Sequence, residues 1–372
     1  MEDKIITLAI HTFERAQILK TLLEAEGIDV YINNVNQISP VVSSGVRVRI
    51  REKDLPHALR FIEEQDPFAM PKEKEKKKAF EGTKRILIPV DFSSYSDRAC
   101  AIGIHYADKI EAEVYLLHAY YRPFFPSAIL MGNTLSYGEE EAEAVLQVAQ
   151  NAKEKMNKLQ EKLRKKIAVG DYPDIHLTTM VREGLPEEVV WSVSGELHPN
   201  LIVMGTRGIH QKSTDLIGSV TAEIIETNKV PVLTIPENVM FDNLSNATHL
   251  AFGTSFSQQD LVVFDSFMEL MAPYDLPIYL FNISTSKDEW NQIRLAGIRE
   301  YLSKQYPNKD ITFTVLADGD LLLAIEKFVR ENHIDLIGLS PHKRNILSRL
   351  FNPSIARKML FHTDTPLLVM RK

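Results

Sequence analysis

The chain is most constrained in residues 201–219, where a buried strand, a glycine-rich loop and a helix follow one another. The sequence of this stretch is LIVMGTRGIHQKSTDLIGS. Its first four residues are apolar without alternation, which is typical of a strand in a parallel sheet covered on both faces. Gly205 and Gly208 come next, and Gly218 and Ser219 open an apolar helical run. This order predicts an open α/β domain.

A loop of this composition favours a bound anion. Glycine lets backbone N–H groups approach phosphate oxygens closely, and the unsatisfied N–H groups at a helix start attract negative charge. The alternative is that the glycines only turn the chain between a strand and a helix. Both interpretations stay open on these residues alone.

Two earlier segments extend the pattern into a resemblance to a known family. Residues 85–96 are RILIPVDFSSYS, and residues 116–119 are LLHA. Together with the spacing G-x2-G-x9-G-S, they make residues 84–237 resemble the ATP-binding type of universal stress protein. The resemblance implies an open parallel five-stranded sheet with helices on both faces, of the adenine-nucleotide alpha-hydrolase-like type.

The same resemblance implies roles for the matching residues. Asp91 would hydrogen-bond the ribose, Val90 and Ala119 would line the adenine pocket, and the glycine backbones would hold the phosphates. The expected cofactor is ATP, with or without Mg²⁺. The expected nucleotide-binding residues are Pro89, Val90, Asp91, Ala119, Met204, Gly205, Arg207, Gly208, Gly218, Ser219 and Val220. Two alternatives remain: Asp91 as a helix-capping residue just before Ser93, and Arg207 as a solvated arginine.

Residues 1–66 form a separate predicted unit. Apolar periodicity gives strands over residues 5–10, 28–32 and 46–50 and helices over residues 12–26 and 55–64. The order βαββα suggests a small ferredoxin-like α+β domain, and its sequence weakly resembles the small signal-transducing domains of bacterial regulators. Residues 67–83, which include KEKEKKK, are expected to be a charged linker.

The predicted first domain carries an insertion after its second strand. Residues 120–137 are rich in aromatic residues and proline and lack a helical period, whereas residues 139–167 have the spacing of a long amphipathic helix. Long loops are usually functional or mobile. We expect a lid or a partner-binding surface, the alternative being simple packing against a neighbouring domain.

Residues 248–372 repeat the first domain in degenerate form. An offset of 164 places Ser255 where Asp91 was. An offset of 135 replaces the three glycines and keeps only the serine, giving Ser340, Lys343, Pro353 and Ser354. Side chains would now occupy the space where backbone approaches phosphate, and proline removes an N–H donor. We expect no ATP binding of the family's kind here. The basic loop is expected to be solvated, the alternative being an altered anion site that uses Lys343, Arg344 and Ser354.

Two such repeats predict an internal pseudo-dimer. The last strands of the two repeats, residues 232–235 and 367–370, are expected to pair antiparallel, because an exposed sheet edge favours pairing. Association into a homodimer of chains is a further alternative.

Composition excludes several functions. Apolar residues make up 44% and charged residues 25% of the chain, as in ordinary globular proteins, and the net charge of −7 disfavours a nonspecific nucleic-acid binder. No apolar run has the length of a membrane span, and the N-terminus lacks a signal-peptide pattern, so we expect a cytoplasmic protein. The single cysteine, Cys100, is expected to be a core residue.

The motifs of common enzymes are also missing. The sequence contains no G-x4-G-K-[ST], G-x-S-x-G or H-E-x-x-H pattern, and its histidines lack metal-ligand spacing. We therefore expect no catalytic residue and no metal site. The leading hypothesis is a non-enzymatic stress-response regulator that binds one adenine nucleotide and contacts an unknown protein partner through residues 120–137 or the N-terminal domain. The alternatives are a dimerisation scaffold with no nucleotide, and a slow ATPase or nucleotidyl-transferring enzyme.

Overall fold

A computed structural model gives the architecture of the chain in thirteen segments. It describes residues 5–11, 13–33, 46–58, 61, 83–121, 129–131, 134–136, 139–207, 219–254, 258–283, 289–316, 321–340 and 365–370. The strands form a three-stranded sheet, a ten-stranded sheet and a two-stranded pair. None of the helices in these segments is long and apolar enough to cross a membrane.

The N-terminal unit is a three-stranded antiparallel sheet with a helix and a core of its own. Its elements are β1 (Ile5–His11), α1 (Phe13–Ala25), β2 (Tyr31–Asn33) and β3 (Val46–Arg51). The strand order is β1-β3-β2, and residues 55–58 are helical. The core includes Leu19, Leu23, Val48 and Ile50. The predicted order β-α-β-β is present, whereas the ferredoxin-like class stays a prediction.

The strand β2 begins three residues later than predicted, because the chain first closes helix α1. Gly27 has a left-handed φ of 80°, and its N–H donates to the Glu24 carbonyl at 3.0 Å. The Ile28 N–H donates to the Leu23 carbonyl at 3.0 Å. These bonds end the helix in the way that a glycine cap does, so the Ile28 N–H is used there and not in a strand ladder.

The first half of the large sheet comprises five parallel strands. In chain order the elements are β4 (Lys84–Pro89), α2 (Ser94–Ile110), β5 (Ala112–Tyr120), β6 (Ile129–Met131), β7 (Thr134–Ser136), α3 (Glu139–Ala168), β8 (Leu177–Glu183), α4 (Pro186–Leu197), β9 (Leu201–Gly205), α5 (Ser219–Thr227) and β10 (Val232–Ile235). The strand order is β10-β9-β4-β5-β8, and each neighbouring pair is parallel.

The insertion contains structure that the sequence analysis did not predict. Strands β6 and β7 pair antiparallel with each other, so the expectation of irregular chain over residues 120–137 is wrong for these two strands. The two intervening residues are Gly-Asn, a pair typical of a hairpin. That local signal was missed because no longer run of alternating residues surrounds it. The long helix that follows is present as α3.

The second half repeats the five-stranded arrangement of the first half, strand for strand. Its elements are β11 (Leu250–Gly253), α6 (Gln258–Met271), β12 (Ile278–Ile283), α7 (Glu289–Gln305), β13 (Ile311–Leu316), α8 (Leu321–Glu331), β14 (Leu336–Leu339) and β15 (Leu367–Val369). The strand order β13-β12-β11-β14-β15 mirrors that of the first half across the sheet. The repeat seen in the sequence therefore corresponds to a repeated strand order.

The two halves meet where β10 pairs antiparallel with β15. The Cα partners are Val232 with Val369, Leu233 with Leu368, and Thr234 with Leu367. The predicted pairing of the two last strands is therefore confirmed. This pairing makes the five-stranded sheet expected of each half one part of a ten-stranded sheet, and it covers the edge that each half would otherwise expose.

Side chains of the first half also contact residues of the second half. The Tyr106 hydroxyl on α2 donates to the Leu270 carbonyl of α6 at 2.9 Å, and its ring stacks on Tyr274 with the centroids 6.3 Å apart. Cys100 is fully buried in the same core cluster, as predicted. Burial raises the pKa of its thiol to about 12, so the thiolate is scarce at neutral pH and the residue is an inert part of the core.

Replacing Leu368 by alanine tests the junction. Its side chain is fully buried, so Leu368→Ala should lower the free energy of unfolding by about 2–5 kcal/mol. Leu146→Ala on α3 is the control, because Leu146 is 62% exposed and its loss should cost less than about 0.5 kcal/mol. Urea unfolding measures both variants. Equal midpoints would contradict the packing of β15 against β10.

Candidate functional site

The strongest candidate for a site lies at the carboxyl ends of β4 and β9. These strands are neighbours and parallel, with Leu87 opposite Ile202, while β5 lies on the other side of β4. Ligands of open α/β sheets bind outside the strand ends at such a switch point. Asp91 follows the end of β4, and Gly205 is the last residue of β9, so the structure brings these two predicted residues to one crevice.

The turn after β4 is stabilised by its own polar groups. Ser93 donates to Asp91 Oδ1 twice, from its N–H at 3.1 Å and from its hydroxyl at 2.6 Å. The Ser93 hydroxyl oxygen accepts from the Ser96 N–H at 3.2 Å, which makes Ser93 the N-cap of α2. The alternative in which Asp91 itself caps the helix is therefore wrong. Asp91 instead supports the capping residue and places a carboxylate at the strand end.

Gly205 is required because the first turn of α2 approaches the end of β9 closely. A Cβ atom at this position would lie 2.6 Å from Tyr95 Cβ and 3.1 Å from both the Tyr95 carbonyl carbon and the Arg207 carbonyl oxygen. The Gly205 carbonyl accepts from the Thr221 hydroxyl at 3.0 Å. That bond anchors the first turn of α5 to the strand end, so the positive end of the helix dipole faces the crevice region.

Arg207 lies at the rim of this region within a small polar cluster that sequence analysis missed. The Tyr95 hydroxyl lies close to the charged groups of Arg207 and Glu237, and the Ser94 hydroxyl donates to the Glu237 carboxylate. Burial raises the pKa of Tyr95, and the positive charge of Arg207 opposes this rise. Arg207 therefore has a structural partner. Its partners follow β4 and β10, far apart in sequence, so no local pattern could have identified them.

His118, near the end of β5, contacts the turn that follows β4 from its other side. His118 Nδ1 lies 2.7 Å from the Val90 carbonyl oxygen, and because that oxygen can only accept, Nδ1 carries the proton. The His118 ring lies 4.4 Å from that of Phe92. Burial lowers the pKa of His118, while the bond to Val90 and the charge of Asp91 act in the opposite direction.

The remaining predicted residues fall into four groups: buried, half-buried, at the start of a helix, and outside the described residues. Val90 and Met204 are buried, at 5% exposure each, whereas Pro89, Ala119 and Val220 are half-buried. Val90 and Ala119 pack against different core clusters, and their roles in adenine binding stay predictions. Ser219 is the first residue of α5. Gly208 and Gly218 lie outside the described residues.

At the corresponding strand ends of the second half, residues with hydroxyl groups replace Gly205 and Val90. Ser340 takes the place of Gly205 and is buried, and within the described segments its hydroxyl has no hydrogen-bond partner. Thr254 takes the place of Val90, and its hydroxyl donates to Asp260 at 3.4 Å. The predicted positions Ser255, Lys343, Arg344, Pro353 and Ser354 lie outside the described residues.

The fold defines an open α/β domain with a crevice at its switch point, and comparisons with known proteins show which family this domain matches. The universal stress protein family pattern matches residues 82–236, so a universal stress protein domain is present there. A universal stress protein of Synechocystis sp. is 36% identical over 69 residues, which are 18% of this chain and 44% of that protein. The chain thus spans less than half of that relative. A universal stress protein of Methanocaldococcus jannaschii is 29% identical over 152 residues, 41% of this chain and 81% of that protein.

A solved structure extends the likeness to the fold of both halves. The crystal structure of a universal stress protein from Archaeoglobus fulgidus has a TM-score of 0.56 and 15% identity, and it covers 77% of this chain and 96% of its own. At this identity the likeness shows the fold alone. The matched share is larger than residues 82–236.

Substituting Gly205 tests the close approach at the site. Gly205→Ala should lower the free energy of unfolding by about 1–3 kcal/mol, because the new methyl group meets backbone atoms that cannot move aside easily. Gly195→Ala on α4 is the matched control, since a Cβ there meets no atom within 4 Å and alanine favours the helix. Chemical unfolding measures both. Equal stability of the two variants would contradict the described packing.

The lowered pKa values of His118 and His105, which both result mainly from burial, predict a dependence of stability on pH. The unfolded chain binds these protons more readily than the folded protein. This part of the stability is therefore present above about pH 6.5 and is lost as the pH falls towards the lowered folded values. His118→Asn should flatten the fall between about pH 7.5 and 5.5 in urea unfolding. An unchanged slope would contradict the burial of a neutral imidazole.

Proposed function

We propose that this protein is a non-enzymatic regulator that binds ATP, with or without Mg²⁺, or another adenine nucleotide in residues 84–237. One observation carries the proposal: within a universal stress protein domain, the Asp91 turn, the end of β9 and the first turn of α5 meet at one switch point. Such a crevice suits a ligand that has hydroxyl groups at one end and phosphates at the other.

The residues on each side of the crevice support this proposal, with ribose hydroxyls bound on one side and phosphates on the other. A carboxylate is an acceptor for the ribose hydroxyls, and Asp91 is held at the strand end by Ser93. The start of α5 offers backbone N–H groups and a positive dipole end to phosphate. Arg207, half-buried beside Tyr95, adds a positive charge on the same side. These groups offer hydrogen bonds and charge to a nucleotide, so we assign binding to the site, with slow hydrolysis as the alternative.

We propose that the second half, residues 248–372, is a partner that does not bind ATP. The repeated strand order and the β10–β15 pairing support an internal pseudo-dimer of two such domains in tandem. Ser340 supports the loss of the site, because its side chain takes the place of the glycine at the strand end. One nucleotide per chain follows from this asymmetry.

The N-terminal unit is proposed to respond to the bound nucleotide through α5. The five residues from Thr221 to Ile225 are each at most 9% exposed, whereas a helix on the outside of a sheet normally has an exposed face. The elements that contact α5 include β10, α4 and the N-terminal strand β1. A nucleotide that orders the start of α5 would therefore also affect the contact between α5 and β1. Through this contact the N-terminal unit would respond to nucleotide binding.

Replacing Asp91 by asparagine tests nucleotide binding. Asp91→Asn removes a charged acceptor, so ATP should bind about 10- to 100-fold more weakly, corresponding to about 1.5–3 kcal/mol. Asp97→Asn in the same helix start is the control, because Asp97 forms a surface ion pair with Lys162 at 2.6 Å and should leave affinity unchanged. Titration calorimetry on the full chain measures both. No ATP binding by the unaltered protein would favour the dimerisation scaffold.

Hydrogen exchange tests the connection to the N-terminal unit. Saturation of the unaltered protein with ATP should slow amide exchange in α5 and in β1 together, because both share one interface. Amides of β13, at the far edge of the ten-stranded sheet, serve as the control and should be unaffected. Slower exchange in α5 with unchanged exchange in β1 would contradict the proposed route.

A further inference from the structure

The backbone of Val90 is fixed at both of its polar groups by the end of strand β5. Its N–H donates to the Leu117 carbonyl at 2.8 Å, and its carbonyl accepts from His118 Nδ1 at 2.7 Å. Val90 is the first residue beyond β4, so its carbonyl lies outside the backbone hydrogen bonds between the strands. A side chain from the neighbouring strand takes over that bond. The orientation of the peptide between Val90 and Asp91 is therefore set by His118.

The next residue shows why such a restraint is needed. Phe92 has a φ of 65°, a left-handed conformation that a bulky side chain rarely adopts. Its ring packs on the His118 ring at a tilt of 48°, and the Ser93 bonds to Asp91 close the turn from the other side. His118 thus contacts the turn twice, at the peptide before Asp91 and at the side chain after it.

We propose that His118 is a positioning residue that aims the Asp91 carboxylate at the ribose hydroxyls of the nucleotide. Its imidazole does not need to touch the ligand. The expected consequence is discrimination between ATP and 2′-deoxy-ATP, because only a correctly placed carboxylate gains from the 2′-hydroxyl. This inference rests on the proposed function and adds a specificity-determining residue to it.

The second half of the chain suggests the conservative variant. The residue in the place of His118 is Asn282, which is 5% exposed. An asparagine amide nitrogen occupies the same position along the side chain as the imidazole Nδ1, so it can donate to the same carbonyl. His118→Asn should keep the bond to Val90. His118→Leu fills a similar volume without a donor, and His118→Gln places its donor one bond too far.

The experiment compares the affinities of ATP and 2′-deoxy-ATP in the full chain by titration calorimetry. The unaltered protein and His118→Asn should both prefer ATP, by roughly ten-fold for one hydrogen bond to a charged group. His118→Leu should lose that preference, with ATP affinity falling to that of 2′-deoxy-ATP and the latter changing little. If His118→Leu does not fold, as judged by circular dichroism, His118→Gln replaces it with the same expected loss.

The outcomes separate this inference from the proposed function. Equal weakening of both nucleotides in His118→Leu or His118→Gln would mean that His118 only supports the core, and would overturn the inference while leaving nucleotide binding intact. Equal affinity of the unaltered protein for both nucleotides would also overturn it, because Asp91 would then not contact the 2′-hydroxyl. Failure of the unaltered protein to bind either nucleotide would overturn the proposed function itself.

Discussion

The parallel pairing of β4 with β9 is the interaction on which the candidate site depends. It brings the ends of two strands that are more than a hundred residues apart in sequence to the same edge of the sheet. The first turn of α2 can then lie against Gly205, since a glycine at that point leaves room for Tyr95. The bond from Thr221 to the Gly205 carbonyl adds the start of α5. Three backbone segments thereby converge where a nucleotide would need them.

Much of this arrangement follows from local sequence patterns. Continuous apolar runs located the parallel strands, because residues buried on both faces leave no alternation. The constant offsets between the two halves revealed the repeat, and the exposed edge of the last strand in each half predicted the antiparallel contact of β10 with β15 correctly. Asp91 and Gly205 could be selected as candidate site residues, because the sequence around them resembles that of a known family.

Other features could not be predicted, since they depend on contacts between distant segments. The hydrogen bond of His118 with Val90 requires knowledge of which strands are adjacent and of their register. The cluster of Tyr95, Arg207 and Glu237 joins the first turn of α2 with residues that follow β9 and β10. The late start of β2 resulted from a competition for one N–H group, which the apolar pattern of residues 28–32 does not reveal.

The two halves differ in the residues at their strand ends. The first half has Gly205 and His118 at its strand ends, whereas the second half has Ser340 and Asn282 at the matching positions and buries both. The shared sheet joins a half in which Asp91 and Gly205 meet at the strand ends to a half that has Ser340 at the position of Gly205, and β1 contacts helix α5. In the proposed function, occupancy of one site is therefore transmitted within a single chain.

The most direct test of this account is to purify the full chain gently, denature it, and identify any released nucleotide by chromatography and mass spectrometry. The account predicts about one adenine nucleotide per chain, from an occupied first half and an empty second half. Two per chain would contradict the assigned loss of the second site. No released nucleotide, together with no binding of added ATP and magnesium, would contradict the central claim that residues 84–237 form a nucleotide-binding domain.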